Sequence, residues 1–287
     1  MRHGFTEIDF PVMDSIERIR RACGHVQSSH SFVSLFLWRN AMELSVRIVD
    51  DAFVVACGGD FFFPCGGEMQ KKAFIEEILC SNAGNSASAP RFLYCSAGDC
   101  DFCRSYFPGV FSILPDHACD EYIYDRAEQT EMRGKKFAYQ RAKINKALRS
   151  GNLFSTALCA GNLPVARSIT LDWAKRRSAD SADVMQTLEA IENFDSLFLY
   201  GNILFRDSVP VGFNMGSFIT EDTFDIHIAK TLEDDVDALM KLELYKALPD
   251  RVKYINREED LGISGLRIHK RDAQPCAFNE IYTLCQQ

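Results

Sequence analysis

Residues 197–229 read LFLYGNILFRDSVPVGFNMGSFITEDTFDIHIA, and this stretch decides the fold class. It contains three apolar runs at 197–205, 209–218 and 223–229. Short polar turn sequences, Asp207-Ser208 and Thr220-Glu221-Asp222, separate these runs. Alternating strand-like runs with turn signals between them predict an antiparallel meander of three strands.

Helical patterns flank the meander on both sides. Residues 163–177 and 182–193 precede it, and 233–248 follow it with Leu239, Leu242 and Tyr245 on one face. A strand at 252–255, a turn and helix around 258–270 and a strand at 278–284 complete this half. Helices and an antiparallel meander in this order predict an α+β fold.

The first half repeats this order without residue-level similarity. A helix with Val12, Ile16, Ile19 and Cys23 on one face precedes strands at 44–49, 52–57 and 61–63. A helix at 68–80, a strand at 91–95, a helix at 99–107 and strands at 110–114 and 121–124 follow. Because 287 residues accommodate two domains, we predict domains at 1–130 and 151–287 joined by a connecting helix at 131–150. Another pair of mixed α/β domains remains the alternative.

Composition limits the classes of function. Hydrophobic residues make up 47% of the chain and charged residues 25%, which is typical of a folded protein. The 32 basic and 40 acidic residues give a net charge of −8, so a polyanion partner requires a local basic patch. The longest apolar runs are too short to cross a bilayer, and residues 1–9 do not resemble a secretory signal. We therefore expect a cytoplasmic protein, with peripheral attachment to a membrane left open.

Residues 133–149 provide such a patch, with seven basic residues and no acidic one. The spacing predicts a helix with Phe137, Ile144 and Leu148 inward. An uninterrupted run of one sign on an acidic chain favours a phosphate-rich partner, although a solvated helix is the alternative. The candidate RNA contacts are Lys135, Lys136, Arg141, Lys143 and Lys146.

The 11 cysteines predict free thiols in a reducing compartment. Cys100 and Cys103 have the spacing of half a zinc site, and Cys95, His117 and Cys119 lie nearby. A second pair at similar spacing is missing. We therefore expect no bound metal.

Three segments together resemble one family. They are residues 31–38 (SFVSLFLW) with Phe62-Phe63-Pro64, residues 134–145 (GKKFAYQRAKIN), and residues 254–270 (YINREEDLGISGLRIHK) followed by Pro275. This set resembles the family of the phosphatidylglycerol lysyltransferase C-terminal domain, including its stand-alone soluble members of unknown function. The resemblance implies two tandem GNAT-like acyltransferase domains, each with a mixed, mostly antiparallel sheet flanked by helices. Membrane-anchored members of the family move an aminoacyl group from aminoacyl-tRNA to a lipid.

Such a transfer requires cations near one carbonyl group and a carboxylate or histidine for proton transfer. In a GNAT-like sheet, reacting groups gather where two central strands separate, here after Lys230 and near Ile255. His227 and Lys230 are three residues apart, so alternation places them on opposite faces unless the strand ends between them. The family has an acidic residue just before this lysine, where this chain has Ala229.

The polar turn after residue 255 supplies further groups, because such turns hold polar side chains on a rigid frame. Mutual pairing of these charges is the alternative. The candidate catalytic residues are Lys230, Glu258 and Asp260. The candidate substrate-binding residues are His227, Asn256, Arg257, Arg267 and Lys270.

The resemblance therefore implies an aminoacyltransferase with tRNA as a partner and aminoacyl-tRNA as co-substrate, without a resident cofactor. The acceptor stays open among a lipid headgroup, including an anionic one at a membrane surface, a peptide and a small amine. A CoA-dependent N-acyltransferase is one alternative, which the lack of a glycine-rich loop before the helix at 233 weakens. A non-catalytic protein that binds RNA or a small ligand on the same fold is the other.

Overall fold

The structure is a computed structural model that describes residues 4–82, 89–177 and 180–287. Its strands are β1 Thr6–Glu7, β2 Leu44–Val49, β3 Ala52–Cys57, β4 Asp60–Phe62, β5 Cys65–Gly66, β6 Arg91–Cys95, β7 Phe111–Pro115, β8 Glu121–Asp125, β9 Leu153–Ala157, β10 Tyr200–Arg206, β11 Val209–Phe218, β12 Thr223–Thr231, β13 Tyr254–Asn256, β14 Ala277–Asn279 and β15 Tyr282–Gln286. Its α-helices are α1 Phe10–Ala22, α2 Phe32–Trp38, α3 Glu68–Asn82, α4 Ala97–Tyr106, α5 Arg126–Glu131, α6 Ala138–Arg149, α7 Leu163–Arg177, α8 Ser181–Glu192, α9 Asp237–Ala247 and α10 Ser264–Asp272.

The chain forms two compact units. The first consists of residues 1–121, 259–262 and 279–287, and the second of residues 122–258 and 263–278. Each unit contains a mixed sheet flanked by helices, so the predicted α+β architecture of tandem GNAT-like domains is confirmed.

The sheet of the first unit has the order β1-β2-β3-β4-β6-β15-β7, and β5 pairs with β3. Strands β4 and β6 are parallel. Apolar residues of β3, β4 and β6 pack with Phe74, Ile75 and Ile78 of α3 and with Phe102 of α4 to form the core. Burial of these side chains, each worth about 1.5–3 kcal/mol, holds α3 and α4 against the sheet.

The sheet of the second unit has the order β14-β8-β13-β12-β11-β10-β9. Strands β10, β11 and β12 form the predicted antiparallel meander, and β13 runs parallel to β12. Helix α9 covers one face of this sheet, where Leu244 and Tyr245 pack with Phe224 and Ile226. Helices α5 and α6 pack against α9.

The two units differ from the domains predicted at 1–130 and 151–287, because residues 122–130 belong to the second unit and residues 259–262 and 279–287 to the first. Strand β15, placed by sequence in the second domain, pairs with β6 and β7 of the first sheet. Residues 131–150 do not form a separate connector, because Ile144 and Ala147 of α6 belong to the core of the second unit. Leu148, predicted to face inward, is 49% exposed, and Ala147 takes the buried position.

Elements α2 and β9 were not predicted as a helix and a strand. Six of the seven residues of α2 are buried, so the segment lacks the polar face that marks an amphipathic helix. Strand β9 is an edge strand with a mostly exposed or half-buried pattern. No helix in the described part of the chain is long and apolar enough to cross a membrane.

Candidate active site

The candidate site lies where β12 and β13 stop pairing. Their parallel ladder runs from Thr223↔Tyr254 to Asp225↔Asn256. Strand β12 continues to Thr231, whereas β13 ends at Asn256. Beyond Asp225 and Asn256, the facing edges of β12 and β13 no longer pair with each other. Polar backbone groups and side chains can therefore lie in the space between these two edges.

An irregularity in β12 decides which side chains share a face there. The ladder with β11 pairs Met215 with Ile228 but Ser217 with Asp225, so β12 has one extra residue between these pairs. Phe224 and Ile226 pack in the core cluster that contains Leu244 and Tyr245 of α9, and Ala229 packs against the same cluster although it is three residues further on. Alternation then places Asp225, His227 and Lys230 together on the opposite face. His227 and Lys230 thus share a face without β12 ending between them.

His227 lies between a serine and two carboxylates. Its Nδ1 is 2.9 Å from Oε1 of Glu258 and 3.3 Å from Oδ2 of Asp225. Its Nε2 is 2.8 Å from Oγ of Ser217. Because ionised carboxylates only accept hydrogen bonds, Nδ1 carries a proton, and in the neutral form of the ring Nε2 accepts a hydrogen bond from the Ser217 hydroxyl.

The backbone turn after β13 presents Glu258 to His227. Glu258 has a φ of 55°, the left-handed region that a non-glycine residue adopts rarely. The Oδ1 atom of the buried Asn256 accepts a hydrogen bond of 2.8 Å from the Glu258 N–H. The buried Lys270 ammonium donates to the carbonyl oxygens of Arg257 and Glu258. Asn256 and Lys270, predicted to bind substrate, thus hold this turn in place.

Lys230 is fixed by two helices that precede the meander. Its Nζ lies 2.7 and 2.6 Å from the two carboxylate oxygens of Asp183 in α8. It also lies 3.9 Å from the ring centroid of Trp173 in α7, a cation–π contact. Burial lowers the pKa of this lysine, and the Asp183 carboxylate offsets part of that effect.

The other predicted site residues have different surroundings. The Arg257 guanidinium is buried and lies 5.0 Å from the Tyr124 ring centroid. Asp260 counts with the first unit, where its Oδ1 accepts from the Gly262 N–H at 2.8 Å. Arg267 is half-buried on α10. Glu258 and His227 therefore contact each other through their ionisable side chains, whereas the contacts of Asn256 and Lys270 with this turn are to backbone atoms.

The predicted RNA contacts lie on α6 and on the 3₁₀ turn Lys135–Phe137 before it. Their side chains differ in how far other groups of the protein engage them. Lys136 forms an ion pair with Glu128 at 2.7 Å, and Lys143 lies 4.5 Å from the Tyr139 ring centroid. Arg141 donates to the carbonyl oxygens of Met132 and Gly134 and so caps the end of α5. Lys135 and Lys146 are exposed, and so is Arg149 at the end of the helix.

Among the described residues, the ligand atoms of one candidate metal-binding group lie within 4.8 Å of one another, and its members are Asp225, His227 and Glu258. Cys100 and Cys103 are buried free thiols in the first unit. Burial raises their pKa values to about 11 and about 12, which disfavours the thiolate that a metal needs. The expectation of no bound metal stays a prediction.

The first unit contains aromatic residues at the corresponding place. Its parallel pair joins Phe61 to Phe92 and Phe62 to Leu93. The next residue of that segment, Phe63, is buried and packs edge-on against Phe92 and Phe102. The end of this parallel pair is therefore filled by apolar side chains, whereas the end of the β12–β13 pair carries ionisable ones.

Sequence reasoning missed Asp225, Ser217 and Asp183. The pair Asp225 and His227, two residues apart on a strand, was visible as a same-face pair. The contact with Ser217 depends on the register of β11 against β12 and on its irregularity, which alternation alone does not reveal. Asp183 approaches Lys230 because α8 packs on α7, which contacts β12, and the sequence does not reveal these tertiary contacts.

Comparison with known proteins places this geometry in a family. The family model described as "Phosphatidylglycerol lysyltransferase, C-terminal" matches residues 20–285. The chain belongs to this family. The comparison with curated proteins gave no match.

Solved structures agree with the family assignment. A conserved protein of unknown function from Bacteroides thetaiotaomicron VPI-5482 is 25% identical, covers 99% of both chains and has a TM-score of 0.89. L-PGS from Bacillus licheniformis is 15% identical over 99% of this chain and 94% of that one, with a TM-score of 0.68. FemX is 7% identical over 97% and 96%, with a TM-score of 0.61. At these last two identities the likeness concerns the fold.

Proposed function

We propose that this protein transfers an aminoacyl group from an aminoacyl-tRNA to an acceptor, with His227 as the general base. Membership of the phosphatidylglycerol lysyltransferase family supports the reaction class. The observation that carries the proposal is the buried His227, whose Nδ1 faces Glu258 while Nε2 faces away from both carboxylates. A base held in one tautomer by a carboxylate is suited to taking a proton from an attacking hydroxyl or amine.

An aminoacyl ester is already activated, so the protein has to supply position and proton transfer rather than an energy source. Glu258 keeps Nδ1 protonated and stabilises the imidazolium that forms when Nε2 takes a proton. The face shared by His227 and Lys230 brings a cation to the same side of the sheet, and Lys230 is the candidate for stabilising the developing oxyanion. The basic face of α6 supplies the contact with the tRNA backbone.

The segment between β12 and α9 weighs against the CoA-dependent alternative. A CoA pyrophosphate in a GNAT enzyme binds backbone N–H groups of a glycine-rich loop at a helix start. Residues 232–236 here are LEDDV and contain Glu233, Asp234 and Asp235. Arg206 pairs with Glu233 at 2.7 Å and with Asp235 at 3.2 Å, and Arg177 pairs with Asp234 at 2.5 Å. The segment thus holds paired carboxylates in place of the glycines whose N–H groups would bind a pyrophosphate.

The test is a transfer assay with a mixture of radiolabelled aminoacyl-tRNAs. Separate reactions offer phosphatidylglycerol vesicles, a peptide or a small amine as acceptor. We expect label to move to one acceptor class, and His227→Gln to lower the rate by roughly 10²–10⁴-fold, the usual contribution of a general base. His117→Gln is the matched control, because His117 is an exposed histidine with a carboxylate partner, Asp120.

Two outcomes would contradict the proposal. In a parallel reaction with radiolabelled acetyl-CoA, label that moves from this donor and not from aminoacyl-tRNA indicates the acyltransferase alternative. Binding of tRNA without transfer to any acceptor indicates a non-catalytic protein on this fold.

A further inference from the structure

Ser217 is the group that faces the basic nitrogen of His227. Its Oγ is 2.8 Å from Nε2, and the opposite nitrogen is 2.9 Å from Glu258. A hydroxyl, an imidazole and a carboxylate joined in this order have the arrangement by which proteins activate a serine. Any proton that Nε2 accepts in this arrangement comes first from the Ser217 hydroxyl.

We infer that Ser217 is an acyl-accepting nucleophile and that transfer passes through a covalent acyl-enzyme. The acyl donor is an activated ester, because a serine hydroxyl that is losing its proton to a base attacks an ester carbonyl readily. The role of Ser217 as a step in aminoacyl transfer rests on the proposed function. The reactivity of Ser217 toward an activated ester does not depend on that function.

Transfer through Ser217 takes place in two displacement steps. Ser217 Oγ forms a bond to the ester carbonyl carbon while its proton passes to Nε2 of His227. The bond from that carbon to the ester oxygen of the donor breaks, and the imidazolium gives its proton to that departing oxygen, which leaves as a hydroxyl group. The acceptor amine or hydroxyl then attacks the ester on Ser217, gives its proton to Nε2, and displaces Oγ, which regains a proton from the imidazolium.

The backbone around Ser217 is fixed closely enough for this role. The preceding residue is Gly216, where a Cβ would lie 1.8 Å from the carbonyl oxygen of Asp225 and 2.9 Å from the Phe224 ring. The close approach of β11 to β12 at this point sets the distance between Ser217 and His227. Glu258 keeps 22% of its side chain exposed, so solvent reaches the carboxylate end of the relay.

The probe for the test is p-nitrophenyl acetate, an activated ester that contains no RNA. We expect a burst of p-nitrophenolate equal to the enzyme concentration and an added acetyl group on the peptide that contains Ser217, measured by mass spectrometry. Ser217→Ala removes both signals, and His227→Gln lowers the acylation rate by roughly 10²–10⁴-fold. Ser155→Ala is the matched control, since the Ser155 hydroxyl accepts a hydrogen bond from Asn202 in the same unit.

Ser217→Cys tests whether loss of folding, rather than loss of the hydroxyl, explains a missing acetyl group in Ser217→Ala. A thiol in this position takes the acetyl group as a thioester, which hydroxylamine releases under milder conditions than an oxygen ester. Acetylation that is equal in wild type and Ser217→Ala overturns the inference. So does a Ser217→Ala variant that keeps full transfer from aminoacyl-tRNA. Acylation of Ser217 without transfer from any aminoacyl-tRNA keeps the inference and removes the proposed function.

Discussion

At the scale of single residues, the candidate site contains ionisable side chains that contact each other and other polar side chains that stabilise the backbone around them. His227 and Glu258 face each other across 2.9 Å. Lys270 contacts backbone carbonyl oxygens instead, and Asn256 accepts from a backbone N–H. A positive residue near a site was predicted from sequence to bind substrate, but burial beside two carbonyl oxygens gives Lys270 a structural role.

This assignment predicts that Lys270→Met destabilises the protein. The substitution leaves the carbonyl oxygens of Arg257 and Glu258 without their charged donor, which costs about 3 kcal/mol of unfolding free energy. Urea denaturation measures the loss. Lys246→Met is the control, because its exposed ion pair with Glu243 contributes about 0–1 kcal/mol. Equal stability of the two variants would contradict the role given to Lys270.

Residue types alone predicted part of this site. His227 and Glu258 could be selected because both are ionisable and lie near predicted strand ends. Residue type could not distinguish Arg257 from them, although its buried side chain packs against Tyr124. Strand β13 has only three residues, Tyr254–Asn256. The face of the sheet on which each of them lies depends on the register with the neighbouring strands, and a pattern this short does not define that register.

At the scale of elements, the pairing of β11 with β12 determines the geometry around His227. Gly216 permits the close approach of the two strands, so Gly216→Ala forces them apart. We expect a loss of about 1–3 kcal/mol in unfolding free energy, the usual cost of overpacking, and loss of activity greater than the loss of folded protein. Gly265→Ala, where a Cβ meets no atom within 4 Å, is the control for both measurements.

Helix α6 gives a second prediction at this scale. Lys135, Lys146 and Arg149 are exposed, whereas Arg141 caps α5, so the first three test RNA binding without disturbing the fold. Changing all three to Glu should weaken tRNA binding and reduce the slope of log affinity against log salt by roughly 2–3, because fewer counterions are released.

The control for this triple change has the same net charge. It replaces Arg18, Arg104 and Lys175, exposed cations paired with Asp51, Asp101 and Asp172. If both triple variants weaken tRNA binding equally, the basic face of α6 is a solvated surface and overall charge explains the effect.

Periodicity predicted the elements better than their assignment to units. Strands β2 and β3 were predicted with their observed bounds, because apolar residues and a tight Asp50-Asp51 turn mark them clearly. Strand β15 was assigned to the second domain, since the sequence of a strand does not identify the sheet that it joins. Long-range pairing is set by the fold as a whole.

At the scale of the whole molecule, buried histidines of the first unit predict a response of stability to acid. His30 is fully buried, and burial lowers its pKa to about 4, an effect that its hydrogen bond to the Phe63 carbonyl and the charge of Asp99 partly offset. Burial also lowers the pKa of His25, whose ring centroid is 4.3 Å away. An unfolded histidine titrates near 6.5.

Between pH 6.5 and 4 the unfolded chain therefore binds protons that the folded chain excludes. Unfolding free energy falls as the pH decreases through this window, by about 3 kcal/mol for His30 alone. His30→Gln removes that contribution, so its stability should depend less steeply on pH than that of wild type in urea denaturation at pH 6.5, 5.5 and 4.5. Parallel curves for the two proteins would show that folding does not lower the pKa of His30.

The position of β15 between β6 and β7 has a consequence for how the protein is made. Residues 111–115 of β7 join the first sheet by pairing with residues 282–286 of β15. The ribosome translates the entire second unit after β7 and before β15. A ribosome adding about 5–20 residues per second needs roughly 8–33 seconds to cover that interval. During this time the edge of β6 that β15 later occupies is exposed to other chains, which makes it a natural place for a chaperone to protect.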